Sequence, residues 1–254
     1  MADALIRVRV FADGAELAHA AAEEFVHRVA EAVRLRGRAA VALSGGSTPR
    51  RLFSLLADPA AAFRDRIDWR ALHFFWTDER HVPPDHPESN FRMARGTLLD
   101  TAPVPLQNVH RIRGEESAAS RAAALYEEEL RAFFAGDPRF DLVLLGLGAD
   151  AHTASLFPGT EAVRERTRWV AAPWVGKLES FRITLTPAVL ECARALLFLV
   201  QGADKAEALR AVLEGEIDPD RRPAQGIRAL DGETLWWVDA VAAGGLEKHR
   251  ATNR

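Results

Sequence analysis

The chain has 254 residues, of which 48% are hydrophobic and 27% charged. That balance suits a soluble α/β protein whose core needs no staples, and one domain over residues 1–254 is expected. The formal net charge of −3 supplies no global positive field, so neither nucleic acid nor a membrane surface is an expected partner, and an anionic ligand would need a local pocket. Cys192 is the only cysteine. It excludes an intrachain disulfide and, within the apolar stretch TPAVLECARALL, is expected to pack as a small hydrophobe. No apolar run approaches the roughly 18 residues of a membrane-spanning helix. The opening MADALIRVRVF alternates like a strand and lacks the apolar block of a signal peptide. The expected location is therefore the cytoplasm.

Along the chain, strand-like and helix-like segments alternate. LIRVRVF reads as a strand. Asp13 to Leu35 reads as a long amphipathic helix, with Leu17, Ala21, Phe25, Val29 and Val33 at helical spacing and Gly37 as its stop. AAVAL is a second strand and Pro49 to Ala57 a second helix. LHFFW is a third strand, followed by helices over Pro87 to Leu99 and Ser117 to Phe134. FDLVLLGLG is apolar throughout, as a strand covered on both faces should be. RWVAAPW, RITLT, ALLFLV and TLWWVD read as further strands, with KAEALRAVLEG a helix between the last two and Trp236 and Trp237 as packing residues. This alternation predicts a doubly wound, mostly parallel α/β sheet with helices on both faces. Ligands of such sheets bind outside the carboxyl ends of the strands.

Three loops that follow strands carry most of the chemistry. After AAVAL comes SGGSTP. Gly45 and Gly46 let backbone N–H groups approach one point at a helix N-terminus, Ser44, Ser47 and Thr48 add hydroxyls, and Pro49 suits the first helical turn. The expected guest is a phosphate. The G-x-x-x-x-G-K-[ST] pattern of NTPases is absent. After LHFFW comes TDERHVPPDHPESN. Here Arg80 can clamp an anion with a bidentate fork, and Asp78 can orient a base or bind substrate hydroxyls. Asp85 and His86 lie close by, but these residues lack ligand spacing on a regular element, so no metal site is expected. After FDLVLLGLG, Gly146, Gly148 and Ala151 match G-x-G-x-x-A. The acid expected after the next strand is missing, which argues against a dinucleotide cofactor. What remains in that loop is His152, with Asp150 two residues before it, placed as a general base. Lys205, in QGADK, falls in the first turn of a helix, where a cation is mildly unfavourable without an anionic partner. Arg182 opens RITLT.

Taken as a set, LSGGSTP, TDERHVP with SN, GLGADAHTASLFPG, RITLT and GADK resemble the signature blocks of the glucosamine-6-phosphate isomerase/6-phosphogluconolactonase family, on its lactonase side. The blocks keep the family's order over residues 43 to 205. The resemblance implies a Rossmann-like fold similar to glucosamine-6-phosphate deaminase and ribose-5-phosphate isomerase. It also implies hydrolysis of 6-phospho-D-glucono-1,5-lactone, a small sugar phosphate lactone, without cofactor or metal. One position departs from the family's Asp-Gly-His-Thr-Ala-Ser: Ala151 replaces the glycine. The deaminases share the glycine and histidine loops, but carry a tyrosine where this chain has Arg80 and a glutamate where it has Phe157. Sugar-phosphate-sensing regulators of the same fold usually carry a helix-turn-helix segment, which is not evident here. On the lactonase reading His152 is the base, and Asp150 or Asp78 orients it. Arg80 stabilises charge or clamps phosphate. Ser44, Gly45, Gly46, Ser47 and Thr48 cradle the 6-phosphate, with Lys205 and Arg182 completing its charge. A monomer or weak homodimer is expected.

Overall fold

The computed structural model describes residues 6–247; Leu5, read as the first residue of the opening strand, lies outside them. The chain order is β1 (Ile6–Phe11), α1 (Gly14–Arg36), β2 (Ala39–Leu43), α2 (Ser47–Ala57), β3 (Leu72–Trp76), β4 (Asp78–Arg80) and α3 (Asn90–Ala94). There follow α4 (Ala119–Phe134), β5 (Leu142–Leu145), β6 (Val170–Ala171), β7 (Trp174–Val175), β8 (Ser180–Leu185) and α5 (Pro187–Leu190). The chain then runs through β9 (Ala195–Val200), α6 (Ala206–Glu214), α7 (Pro223–Gly226) and β10 (Glu233–Asp239).

Local chemistry sets these boundaries. Asp13 caps α1 by accepting hydrogen bonds from the N–H groups of Ala15 and Glu16, and Gly37 ends the helix at φ +74°. The helix expected over Pro87–Leu99 is shorter at its start. His86 to Ser89 form a turn, and the Ser89 hydroxyl accepts from the Arg92 N–H, so α3 begins at Asn90. Its continuation, Arg95–Leu99, is a widened π turn.

The central sheet has six strands in the order β1-β10-β9-β5-β2-β3, all pairs parallel. β2, β5 and β9 are buried along their whole length, so both faces of the sheet's centre are covered. One apolar core runs from Phe11 to Leu246, and within it Trp236 stacks on Phe198 with ring centroids 3.9 Å apart. RITLT does not join this sheet. It forms part of β8, which pairs antiparallel with β4, β6 and β7 in a small second layer. Thr77 couples the two layers. Its N–H donates to the Leu43 carbonyl of β2 at 2.8 Å, while its own carbonyl accepts from the Leu185 N–H of β8 at 2.8 Å.

The strand order reverses between β2 and β5. From β2 the chain steps outward to β3, and β5 returns on the opposite side of β2. The loops that leave β2 and β5 therefore diverge and open a crevice at the switch point.

Candidate active site

A cavity of about 400 Å³ opens at that crevice. Ser44, Gly45 and Gly46 line it after β2, Gly146 to Phe157 after β5, Asp78 and Arg80 on β4, Arg182 on β8, and Lys205 before α6. A second space of about 150 Å³ adjoins it, sharing Gly45, Gly46 and Lys205 and adding Ser47 and Thr48. The structure thus brings the SGGST turn, Asp78, Arg80 and His152 to one crevice, with Asp150 held against His152, while Asp85 and His86 line neither space.

The turn after β2 is shaped by its two glycines. A Cβ on Gly45 would sit 1.9 Å from the Asn90 amide oxygen, so only glycine lets α3 close against this loop. Gly46, at φ +111°, occupies the N-cap of α2 without a capping side chain. The first N–H groups of α2 thereby receive no capping side chain, as suits an anion-binding helix start. The Ser44 hydroxyl is buried and has no hydrogen-bond partner. A buried orphan of this kind calls for an explanation, and a polar ligand in the cavity that Ser44 lines supplies one.

The loop after β5 is tighter. Gly148 N–H donates to the His152 carbonyl at 2.8 Å, and Ala151 N–H to the Gly148 carbonyl at 2.9 Å. A Cβ on Gly148 would lie 1.9 Å from His152 Nδ1. The glycine that suggested a dinucleotide fingerprint is instead the floor of an imidazole. His152 Nδ1 lies 2.5 Å from Asp150 Oδ1, and its ring stacks on Phe157 at 4.1 Å and 26°. The other Asp150 oxygen meets Lys177 Nζ. Burial pushes the Asp150 carboxyl up, but its hydrogen bonds to His152 and Lys177 outweigh that and hold it well below the usual carboxylate range.

Asp78, the other carboxylate considered for orienting the base, has different partners. It accepts from the Ser155 hydroxyl at 2.6 Å, and its carbonyl accepts from Asn90 Nδ2 at 2.9 Å. It ties the histidine loop to α3, and none of its hydrogen bonds goes to the imidazole. Arg80 and Arg182 face each other at one register position of the β4–β8 pair. Arg80 donates to the Glu88 carbonyl, and Arg182 to the Ser180 hydroxyl and the Phe181 carbonyl. Burial, and then the neighbouring Arg80, push the Arg182 guanidinium down. Like charges directly opposed across a ladder are unfavourable alone and become favourable around an anion. Lys205 does not sit inside α6. It closes the short turn Ala203–Lys205 just ahead of that helix, 3.0 Å from Asp204.

Sequence reasoning assigned no role to Glu79, Asn90, Ser155 or Lys177. Glu79 is a buried carboxylate that accepts from the N–H groups of Arg80, Asn90 and Phe91 and from the Ser89 hydroxyl. It fastens the start of α3 and so places Asn90 against Gly45. Its position directly after Asp78 was the only signal in the sequence. Lys177 sits in an irregular turn and carried none.

Residues 12–236 match the profile described as glucosamine-6-phosphate isomerases/6-phosphogluconolactonase. The chain belongs to this family. It is 42% identical to the 6-phosphogluconolactonase of Synechocystis sp. over 224 residues, covering 86% of this chain and 89% of that one. It is 38% identical to the 6-phosphogluconolactonase of Mycobacterium tuberculosis over 247 residues, covering 94% and 98%. Among solved structures, the 6-phosphogluconolactonase of Trypanosoma brucei superposes with a TM-score of 0.83 at 30% identity, over 96% of this chain and all of that one. A monomeric glucosamine-6-phosphate deaminase shares the fold at 19% identity and a TM-score of 0.77. Family membership gives Ala151 its interest. It sits at φ +64°, the left-handed conformation that suits the family's glycine.

Proposed function

We propose that this family member hydrolyses 6-phospho-D-glucono-1,5-lactone to 6-phosphogluconate, with His152 activating the water. The observation that carries the reading is the Asp150–His152 pair, whose imidazole lines the same cavity as the Ser44–Gly46 turn. An anionic Asp150 accepts the Nδ1 hydrogen bond and leaves Nε2 with a free lone pair. Nε2 takes a proton from water as the oxygen attacks C1 of the lactone. The C1 carbonyl becomes an oxyanion, the bond from C1 to the ring oxygen breaks, and the imidazolium returns its proton to that oxygen. No cofactor or metal enters these steps.

The N–H groups at the start of α2, the hydroxyls of Ser44, Ser47 and Thr48, and Lys205 hold the 6-phosphate. Arg80 and Arg182 add charge from the second layer. The anchored phosphate converts the attack on a flexible substrate into an oriented one. Phe157 closes the deaminase route. Its ring supports the imidazole but cannot exchange a proton where a deaminase has a glutamate. No helix of the described residues is long and apolar enough to cross a membrane.

The test is a coupled assay with freshly generated phosphogluconolactone, beside a measurement of ammonia release from glucosamine 6-phosphate. Lactone turnover above the spontaneous rate without ammonia is the expected result. Steady ammonia release would overturn the assignment.

A further inference from the structure

Lys177 lies in the short turn Gly176–Leu178 between β7 and β8, and its side chain is half exposed. Nothing in the reaction as drawn above uses it. Its ammonium nevertheless meets the Asp150 carboxylate and lies over the Phe157 ring, 4.8 Å from the centroid. His152 uses the same two supports: the other oxygen of Asp150 and the same ring. A carboxylate whose two oxygens are divided between an ammonium and an imidazole couples the charge of one to the basicity of the other.

We propose that Lys177 is a positioning residue for His152, acting through Asp150: its ammonium fixes the carboxylate's orientation toward Nδ1 and weakens the carboxylate's hold on the imidazolium. This rests on His152 being the base. Without the ammonium, Asp150 would be freer to turn from Nδ1 and would stabilise protonated His152 more strongly. With it, Asp150 still selects the tautomer, while the imidazole stays available to take a proton from water. The other charged groups lining the cavity are Asp78 and Arg80 on β4, Arg182 on β8 and Lys205 before α6. All four are unchanged by substitution at Lys177.

The experiment compares the wild-type protein with Lys177→Met, Lys177→Gln and Lys177→Arg. One readout is the pH dependence of kcat/KM from pH 5 to 8, for the phosphorylated lactone and for unphosphorylated gluconolactone. Removing a cation that shares a carboxylate with an imidazole is expected to shift the imidazole's titration by about one pH unit. The acid limb of Lys177→Met and Lys177→Gln should therefore move alkaline by about one unit on both substrates, with about tenfold lower kcat/KM below the limb. Lys177→Arg should keep the wild-type limb. The second readout is an NMR titration of the His152 ring, which needs no turnover and should show the same displacement. An unmoved imidazole titration in folded charge-removal variants would overturn the inference. A loss confined to the phosphorylated lactone would overturn it too, making Lys177 a phosphate ligand. Failure of the proposed function has a separate signature: the wild type would turn over neither lactone, while the His152 titration would still respond to Lys177.

Discussion

In the loop after β2, Gly45 makes room for Asn90, and Gly46, at φ +111°, leaves the first N–H groups of α2 unspent. In the loop after β5, Gly148 makes room for the His152 ring itself, and the left-handed position belongs to an alanine, Ala151 at φ +64°. Both loops follow buried parallel strands and flank the same switch point. On the proposed reading, one uses glycine to offer backbone to a ligand. The other uses it to seat a side chain. A glycine pair at a strand end is therefore not by itself a phosphate site, and the atom that a Cβ would strike distinguishes the two uses. The G-x-G-x-x-A match in the second loop comes from seating an imidazole, not from approaching a pyrophosphate.

The largest expected effects lie in the second loop. His152→Ala should lower kcat by roughly 10²- to 10⁴-fold, the usual contribution of a general base. KM should hardly change, because the proposed phosphate cradle is untouched. Gly148→Ala should mimic much of this loss without touching the histidine. The added methyl would overlap Nδ1 and Cε1 of the ring and crowd Asp150 Oδ1, and displacement of a catalytic group by about 1 Å costs on the order of 10²-fold. Steady-state kinetics with a thermal melt reads both variants. A folded Gly148→Ala protein with wild-type kcat would show that the imidazole can do its work elsewhere in the cavity.

The first loop should respond with smaller, substrate-selective losses. Lys205→Ala removes one charge-assisted contact worth about 1.5–3 kcal/mol, or roughly 10- to 150-fold in kcat/KM. Gly46→Val forces a β-branched residue into φ +111° and should weaken the same substrate. Neither variant should lose further activity on unphosphorylated gluconolactone, which has no group for the cradle to hold. Equal losses on both lactones in a folded Lys205→Ala protein would remove the phosphate from this end of the cavity.

The parts of the site legible in the sequence were those that sit directly after long apolar strands. β2, β5 and β9 are continuous buried runs, so the positions of SGGST, GADAH and GADK followed from periodicity and from where α/β sheets bind ligands. The second layer escaped that reasoning. β4, three residues long, reads as loop in the sequence, and RWVAAPW, which reads as one strand, is broken into the two-residue β6 and β7; all three pair with β8 and none joins the central sheet. Arg182 therefore looked like a lone strand residue, and its register partner Arg80 like a loop residue. Asp150 and Asp78 could not be ranked without knowing which neighbour each carboxylate reaches. Asn90 and Lys177 make contacts far apart in the chain, with Gly45 and Asp150 respectively.

The smallest expected effect tests the odd position in the second loop. An L-residue in the left-handed conformation costs about 1–2 kcal/mol, so Ala151→Gly should relieve strain. Two terms oppose this. Glycine loses an additional 0.5–1 kcal/mol or so of backbone entropy on folding. The Ala151 side chain is buried, and a buried methyl contributes about 0.8 kcal/mol. The three terms nearly cancel, so stability should change by less than about 1 kcal/mol, a melt shift of no more than about 4 °C for a chain of this size. The backbone bonds from Ala151 N–H to Gly148 and from Ala224 N–H to the Ala151 carbonyl need no side chain and survive the change. The His152 ring should therefore keep its seat, and kcat should stay within about twofold of wild type. A loss beyond tenfold in a folded Ala151→Gly protein would mean that the methyl itself holds the loop that carries His152, and that this chain has replaced a glycine's freedom with a packing contact.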